Sequence, residues 1–199
     1  MKKLSFLFVA LLSFGSVHSQ NVVGYSKDLD LNDICLESAF HSVTLTLWDD
    51  TISDLSKLLI DSVKVIRLSE NLRFINPDVF SFEPYNIMRY TTINNNLDSI
   101  VVDAGNPNYS SVEGILYDKS GTVLLAYPAG RSGEAVIPSQ TTEIAENSFK
   151  NCKKISSVVI PSGVSKIGER AFENCTSLAE ITIQGSPYID NNAFLGCSN

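Results

Sequence analysis

The feature that most restricts this chain is a repeat. Residues 136–158 read VIPSQTTEIAENSFKNCKKISSV and residues 159–181 read VIPSGVSKIGERAFENCTSLAEI. The two blocks align without a gap at a period of 23, with nine identical positions: Val, Ile, Pro, Ser, Ile, Glu, Phe, Asn and Cys. A third block starts at Thr182 and is one residue shorter in its turn. Its Ile183, Ile189, Ala193, Phe194 and Cys197 match Ile160, Ile167, Ala171, Phe172 and Cys175. One such unit is too small to bury its own apolar side chains, so the units must stack on one another.

A period in the twenties with a strand-like LxxIxI segment indicates a leucine-rich-repeat solenoid. In SLAEITI the alternation puts Leu178, Ile181 and Ile183 inward and Glu180 and Thr182 outward on a short strand. Pro161 ends the equivalent strand because it has no N–H for the ladder. In KIGERAFENC, Ile167, Ala171 and Phe172 fall at helical spacing, which predicts one or two helical turns per coil. A weaker copy lies upstream in IRLSENLRFINPDVF, residues 66–80. There Leu68, Ile75 and Phe80 take the places of Ile160, Ile167 and Phe172. After an insertion, Leu97 and Ile100 resume at the places of Leu178 and Ile181.

Cys152, Cys175 and Cys197 share one repeat position, so stacking predicts a column of small buried thiols. A Cys152–Cys175 bridge stays open as an alternative, provided that the Cβ vectors converge. The spacing has no CxxC pair and no nearby histidine, which argues against zinc.

The first 19 residues, MKKLSFLFVALLSFGSVHS, follow a secretory pattern: a basic Lys2-Lys3 start, an apolar run from Leu4 to Phe14, and Val17 and Ser19 before the cut. The apolar run is too short to span a bilayer. The expectation is an exported chain that ends in the periplasm, at the cell surface or outside the cell. The formal charge is −7, and losing the two leader lysines makes the chain more acidic still. Phosphate backbones and anionic membranes are poor partners for such a chain. Of the two histidines, His18 lies in the leader and only His41 remains, which argues against His-based catalysis. No Gly-rich phosphate loop, GxSxG elbow or HExxH motif occurs. The reading is therefore non-enzymatic, with no cofactor and no metal.

The unit IxxxAFxxCxxLxxIxIP, here Ile167, Ala171, Phe172, Cys175, Leu178, Ile181 and Ile183, resembles the BspA-type leucine-rich repeat family. The likeness extends into NPNYSSVEGILYDKSGTVLLAYPAG at 106–130, a stretch that this family often carries between repeats. The resemblance implies a surface or secreted protein of a Bacteroides-like bacterium that binds rather than catalyses, in some members by adhesion to host matrix proteins or other cells. It carries over no ligand-reading motif. The sequence stops at Asn199 without a strand after Cys197 or a polar capping repeat. That fits a fragment, a short member or a dimer through an exposed end.

The resulting expectation is an α/β solenoid of short parallel strands and short helical turns. Residues 1–19 are the signal peptide, 20–64 an N-terminal cap and 65–199 the solenoid, with a hairpin insertion at 103–135 and clear repeats at 136–158, 159–181 and 182–199. Within the insertion, EGILYDKSGTVLLAY predicts two strands around DKSG, with Gly121 at the positive-φ turn position. Asp118 and Ser120 read as turn residues, because a calcium loop needs more acidic ligands. In 43–68 an alternating VTLTLW strand precedes a helix-like segment capped by Asp54, and VKVIRL returns to strand.

The outward strand positions Ser157, Val159, Glu180 and Thr182 form the candidate surface for a protein ligand. The second reading is carbohydrate binding, with Trp48, Tyr109 or Tyr188 as stacking platforms. Exposure separates the two, since a sugar site needs a flat solvent-facing aromatic cluster. The sequons at Asn108 and Asn174 and the short Asp-Ser/Thr-aliphatic patterns at Asp50, Asp61 and Asp98 are too brief to assign modification.

Overall fold

The computed structural model describes residues 21–25, 43–47, 51–52, 63–75 and 96–197. The leader, Trp48, the segment predicted as a helix after Asp54, Cys35, His41 and Phe80 lie outside these residues. The described elements are all strands. In chain order they are β1 (Asn21–Tyr25), β2 (Val43–Leu47), β3 (Thr51–Ile52), β4 (Val63–Leu68), β5 (Phe74–Ile75), β6 (Ser99–Val102), β7 (Tyr109–Val112), β8 (Ile115–Asp118), β9 (Val123–Ala126), β10 (Gly133–Val136), β11 (Glu143–Ile144), β12 (Ile155–Ile160), β13 (Lys166–Ile167), β14 (Glu180–Ile183) and β15 (Tyr188–Ile189).

The repeat produces two parallel ladders on two sides of the solenoid. On one side β10, β12 and β14 pair in register, so that Val158 lies beside Ile181 and Ile160 beside Ile183. On the other, β9, β11, β13 and β15 run in parallel through Leu124, Ile144, Ile167 and Ile189. Upstream, β1, β2, β4 and β6 form a further parallel sheet, and β3 pairs with β5. Ile66 lies beside Ile100 and Leu68 beside Val102, as Val158 and Ile160 lie beside Ile181 and Ile183, but the offset is 34 residues rather than 23. The register slips by one residue at Gly133/Glu134 and at Val43/Thr44.

The expected helical turns are absent: no α-helix occurs among the described residues. The hydrogen bonds show why. In the turn 148–152, Ser148, Lys150 and Cys152 donate N–H to the carbonyl three residues back. Between them, Phe149 donates to Ala171 O and Asn151 to Glu173 O, both in the next coil. A helix needs consecutive N–H groups directed along its own axis. Here alternate donors leave for the neighbouring coil. Asn147, Asn151, Arg170 and Asn174 hold positive φ, which breaks any helix at four-residue intervals. The spacing of Ile167, Ala171 and Phe172 therefore reflects successive left-handed turns.

The core is a stack of repeat positions. Ile144, Phe149, Cys152, Ile155, Val158 and Ile160 are buried in one coil, and Ile167, Phe172, Cys175 and Leu178 in the next. The rings of Tyr127, Phe149, Phe172 and Phe194 form a continuous stack with centroids 4.5, 4.5 and 5.1 Å apart. Each such contact adds about 0.5–1.5 kcal/mol beyond the area buried. The insertion is a meander of β7, β8 and β9, with Tyr117 opposite Leu124 and Gly121 at φ 74°. Its second turn, at Glu113-Gly114, has φ 52° and 75°, the left-handed pair favoured in two-residue hairpins.

Candidate functional site

The loop and aromatic side chains that could hold a ligand are largely committed to the fold. In the NPNYSS stretch, Asn106 is fully buried and makes four bonds. Its Nδ2 donates to Ser69 O at 2.8 Å and Leu72 O at 2.9 Å, and its Oδ1 accepts from the N–H groups of Asn108 and Tyr109 at 2.9 Å. Asn108 Nδ2 donates to Arg73 O, Ser110 Oγ donates to Asp118 O, and Ser111 Oγ accepts from Val102 N–H. The Tyr109 hydroxyl accepts from Ile75 N–H at 3.1 Å. The stretch therefore ties the upstream coil to the meander.

Tyr117 is buried and shares a 2.8 Å hydrogen bond with Thr141; burial raises its pKa, against the lowering effect of that bond. Tyr127 lies in the ring stack beneath Arg131, whose guanidinium carbon is 5.3 Å from the ring centroid. Arg131 also donates to Asp98 O and Glu113 O, clamping the upstream coil to the hairpin turn. Asp118 accepts from the N–H groups of Thr122 and Val123 and from the Ser120 hydroxyl. Burial works to raise its pKa, but the hydrogen bonds from Ser120, Val123 and Thr122 outweigh it and hold the carboxyl below its ordinary value. Among the described residues, no three His, Cys, Asp or Glu side chains converge on a metal position.

The three cysteines carry free thiols in one column. Their Sγ atoms donate to Tyr127 O, Phe149 O and Phe172 O of the preceding coil, at 3.8, 3.1 and 3.2 Å. Burial pushes all three thiols up and so favours their protonated form, most strongly at Cys152 and Cys175.

The two described aromatic platforms do not gather. Tyr109 is half-buried on β7 and Tyr188 exposed on β15, at opposite ends of the six-stranded sheet. What remains open is the outer face of β10, β12 and β14. The register puts Ser157 beside Glu180 and Val159 beside Thr182. It also adds Glu134 beside Ser157 and Val136 beside Val159. Glu134, Glu180 and Thr182 are exposed, Val136 is 57% exposed, and Ser157 and Val159 are half-buried. The face thus has one row of Glu134, Ser157 and Glu180 and a second of Val136, Val159 and Thr182. Glu134 and Val136 were missed as surface candidates, although they precede Ser157 and Val159 by one period of 23.

Comparison with known proteins places this arrangement. Residues 131–199 match the model of a BspA type leucine rich repeat region of six copies. Residues 131–199 are thus similar to BspA-type leucine-rich repeats. No curated protein matches the chain at a significant level. A leucine-rich cell surface protein from Faecalibacterium prausnitzii has a similar fold, with a TM-score of 0.53 and 23% identity over 77% of this chain and 45% of that one. A leucine-rich repeat protein from Eubacterium ventriosum aligns at TM-score 0.49 and 20% identity, over 80% and 58% of the two chains. The pneumococcal vaccine antigen PcpA aligns at TM-score 0.46 and 18% identity, over 83% and 55%. The chain spans about half the length of these solved proteins. The match over 131–199 falls on the segment in which the two ladders, the ring stack and the cysteine column repeat at one interval.

Proposed function

We propose that this chain is a non-catalytic, exported binding protein whose outer strand face contacts a protein ligand at the bacterial cell surface. The observation that carries the reading is the division of labour among its side chains. Asn106, Asn108, Ser110, Ser111, Tyr109, Tyr117, Tyr127 and the three cysteines are spent on backbone and core, while the strand face with Glu134, Val136, Ser157, Val159, Glu180 and Thr182 has no partner strand or loop laid over it among the described residues. A flat sheet face suits a protein surface better than a small molecule, which needs a concave pocket. The family supports a binding scaffold, and the surface location of the Faecalibacterium protein supports export. Among the described residues no helix is long and apolar enough to cross a membrane. A host matrix protein is the ligand class to test first.

The test is binding of the purified chain to immobilised matrix proteins and to glycans. Saturable binding to one protein class, lost in Glu180→Lys/Thr182→Lys, supports the reading. Glycan binding lost with Trp48→Ala or Tyr188→Ala replaces it with the carbohydrate one.

A further inference from the structure

The sheet that carries the outer face is interrupted inside the chain. Gly130 N–H donates to Leu97 O at 2.8 Å and Arg131 Nε to Asp98 O at 2.8 Å, so the segment leading into β10 starts against the one leading into β6. The two then part. Ile100 N–H donates to Gly114 O and Val102 N–H to Ser111 Oγ, which lays the β7–β8 hairpin along the edge of β6. β6 packs against β4, β7 and β8, whereas β10 packs against β12. Among the described residues no strand pairs with the other edge of β10. This edge is internal to the chain, and residues 96–132, which precede it, are all described.

The side chains register the gap. Val136 is 57% exposed, while Val159, at the same position one coil on and flanked by Val136 and Thr182, is half-buried. Glu134 is exposed as well. Beneath them the core is already closed: Ala135 is fully buried and Ile137 is 6% exposed, in one cluster with Ile115 and Tyr127. Residues 134–137 contain no proline and no lysine, the residues that commonly blunt a free edge. Such an edge is a template for a further strand.

We propose that an extended segment of the protein ligand adds to this edge as one more strand of the β10–β12–β14 ladder. The inference rests on the reading of the outer face as the protein-binding surface, and it names how the ligand is held there. Main-chain hydrogen bonds to β10 supply affinity, and alternate side chains supply selectivity. Directly opposed residues of paired strands point to the same side, whichever way the added strand runs. The ligand residue opposite Glu134 therefore points outward and suits Lys or Arg, because opposite charges across a pair stabilise it. The residue opposite Val136 also points outward and suits Val, Ile or Thr, extending the row of Val136, Val159 and Thr182. The residue between them, opposite Ala135, points to the filled core and must be small. The recognised segment is thus basic, small, β-branched, read in one direction or the other.

Two short capped peptides, Thr-Ser-Lys-Ala-Val-Ser-Thr and its reverse, test this against the full 199-residue chain by fluorescence anisotropy. One of them should bind saturably. N-methylation of one alternate set of its backbone amides should abolish binding, and methylation of the other set should leave it intact, because only one set faces β10. Glu134→Lys should weaken binding by at least about ten-fold with unchanged far-UV circular dichroism. Glu146→Lys, an equal charge reversal at an exposed turn, should leave it unchanged. In hydrogen exchange, residues 133–136 of the free chain should exchange faster than residues 157–160 of β12, which is flanked on both sides, and should slow when the peptide binds. No saturable binding by either peptide up to about 1 mM overturns the proposal. So does binding indifferent to methylation of both amide sets, or a β10 as protected in the free chain as β12. A matrix protein that binds through Glu180 and Thr182 while neither peptide does leaves the outer face as the binding surface and removes strand addition alone.

Discussion

At the scale of single residues, polar side chains here serve the backbone. Asn106 makes four hydrogen bonds with no exposure, and any substitute leaves buried donors and acceptors unpaired. Asn106→Ala should cost about 2–4 kcal/mol in urea unfolding, since each orphaned buried group costs about 1–3 kcal/mol. The two bonds from its Nδ2 were not legible beforehand, because they join residues more than thirty positions apart. Asp118 contributes through its ionised form. Its carboxyl is held low, so the stability it adds is present above the ordinary carboxylate range and is lost as pH falls through the folded value. Asp118→Asn should therefore flatten the acid limb of a melting-temperature profile below about pH 5, while lowering stability at neutral pH. The thiols separate by burial: with Cys35 replaced by Ser, native protein should label at half-buried Cys197 first, and at Cys152 and Cys175 only on unfolding. Equal labelling of all three would contradict the column.

At the scale of elements, the parallel ladders were readable because period and alternation survive in the sequence. Pro161 marks the end of β12, and DKSG the turn between β8 and β9. The turns misled, because Ile167, Ala171 and Phe172 have helical spacing whether the backbone coils on itself or lends alternate donors to its neighbour. The clue was the asparagine or arginine at 147, 151, 170 and 174, four residues apart and each at positive φ. Close approach adds a second constraint. A Cβ on Gly168 would lie 2.5 Å from Glu146 N, with only backbone atoms to yield. Gly168→Ala should therefore destabilise the stack despite being a minimal change. Phe172→Ala, which opens a gap between two rings, should cost about 3–5 kcal/mol in the same assay.

At the scale of the whole molecule, one interval of 22 or 23 residues sets strand register, ring stack and thiol column together, and also the rows of the outer face. The face was half legible: Ser157, Val159, Glu180 and Thr182 follow from alternation, while Glu134 and Val136 needed the period carried back by one coil. The reading assigns recognition to these rows and stability to what lies beneath them. The most direct measurement compares partner binding by the wild-type chain, by Glu134→Lys/Glu180→Lys, and by Tyr188→Ala, with melting temperatures recorded on each. The account predicts that the double charge reversal abolishes binding at unchanged melting temperature while Tyr188→Ala binds normally. Binding that survives the charge reversal and disappears with Tyr188→Ala would contradict it.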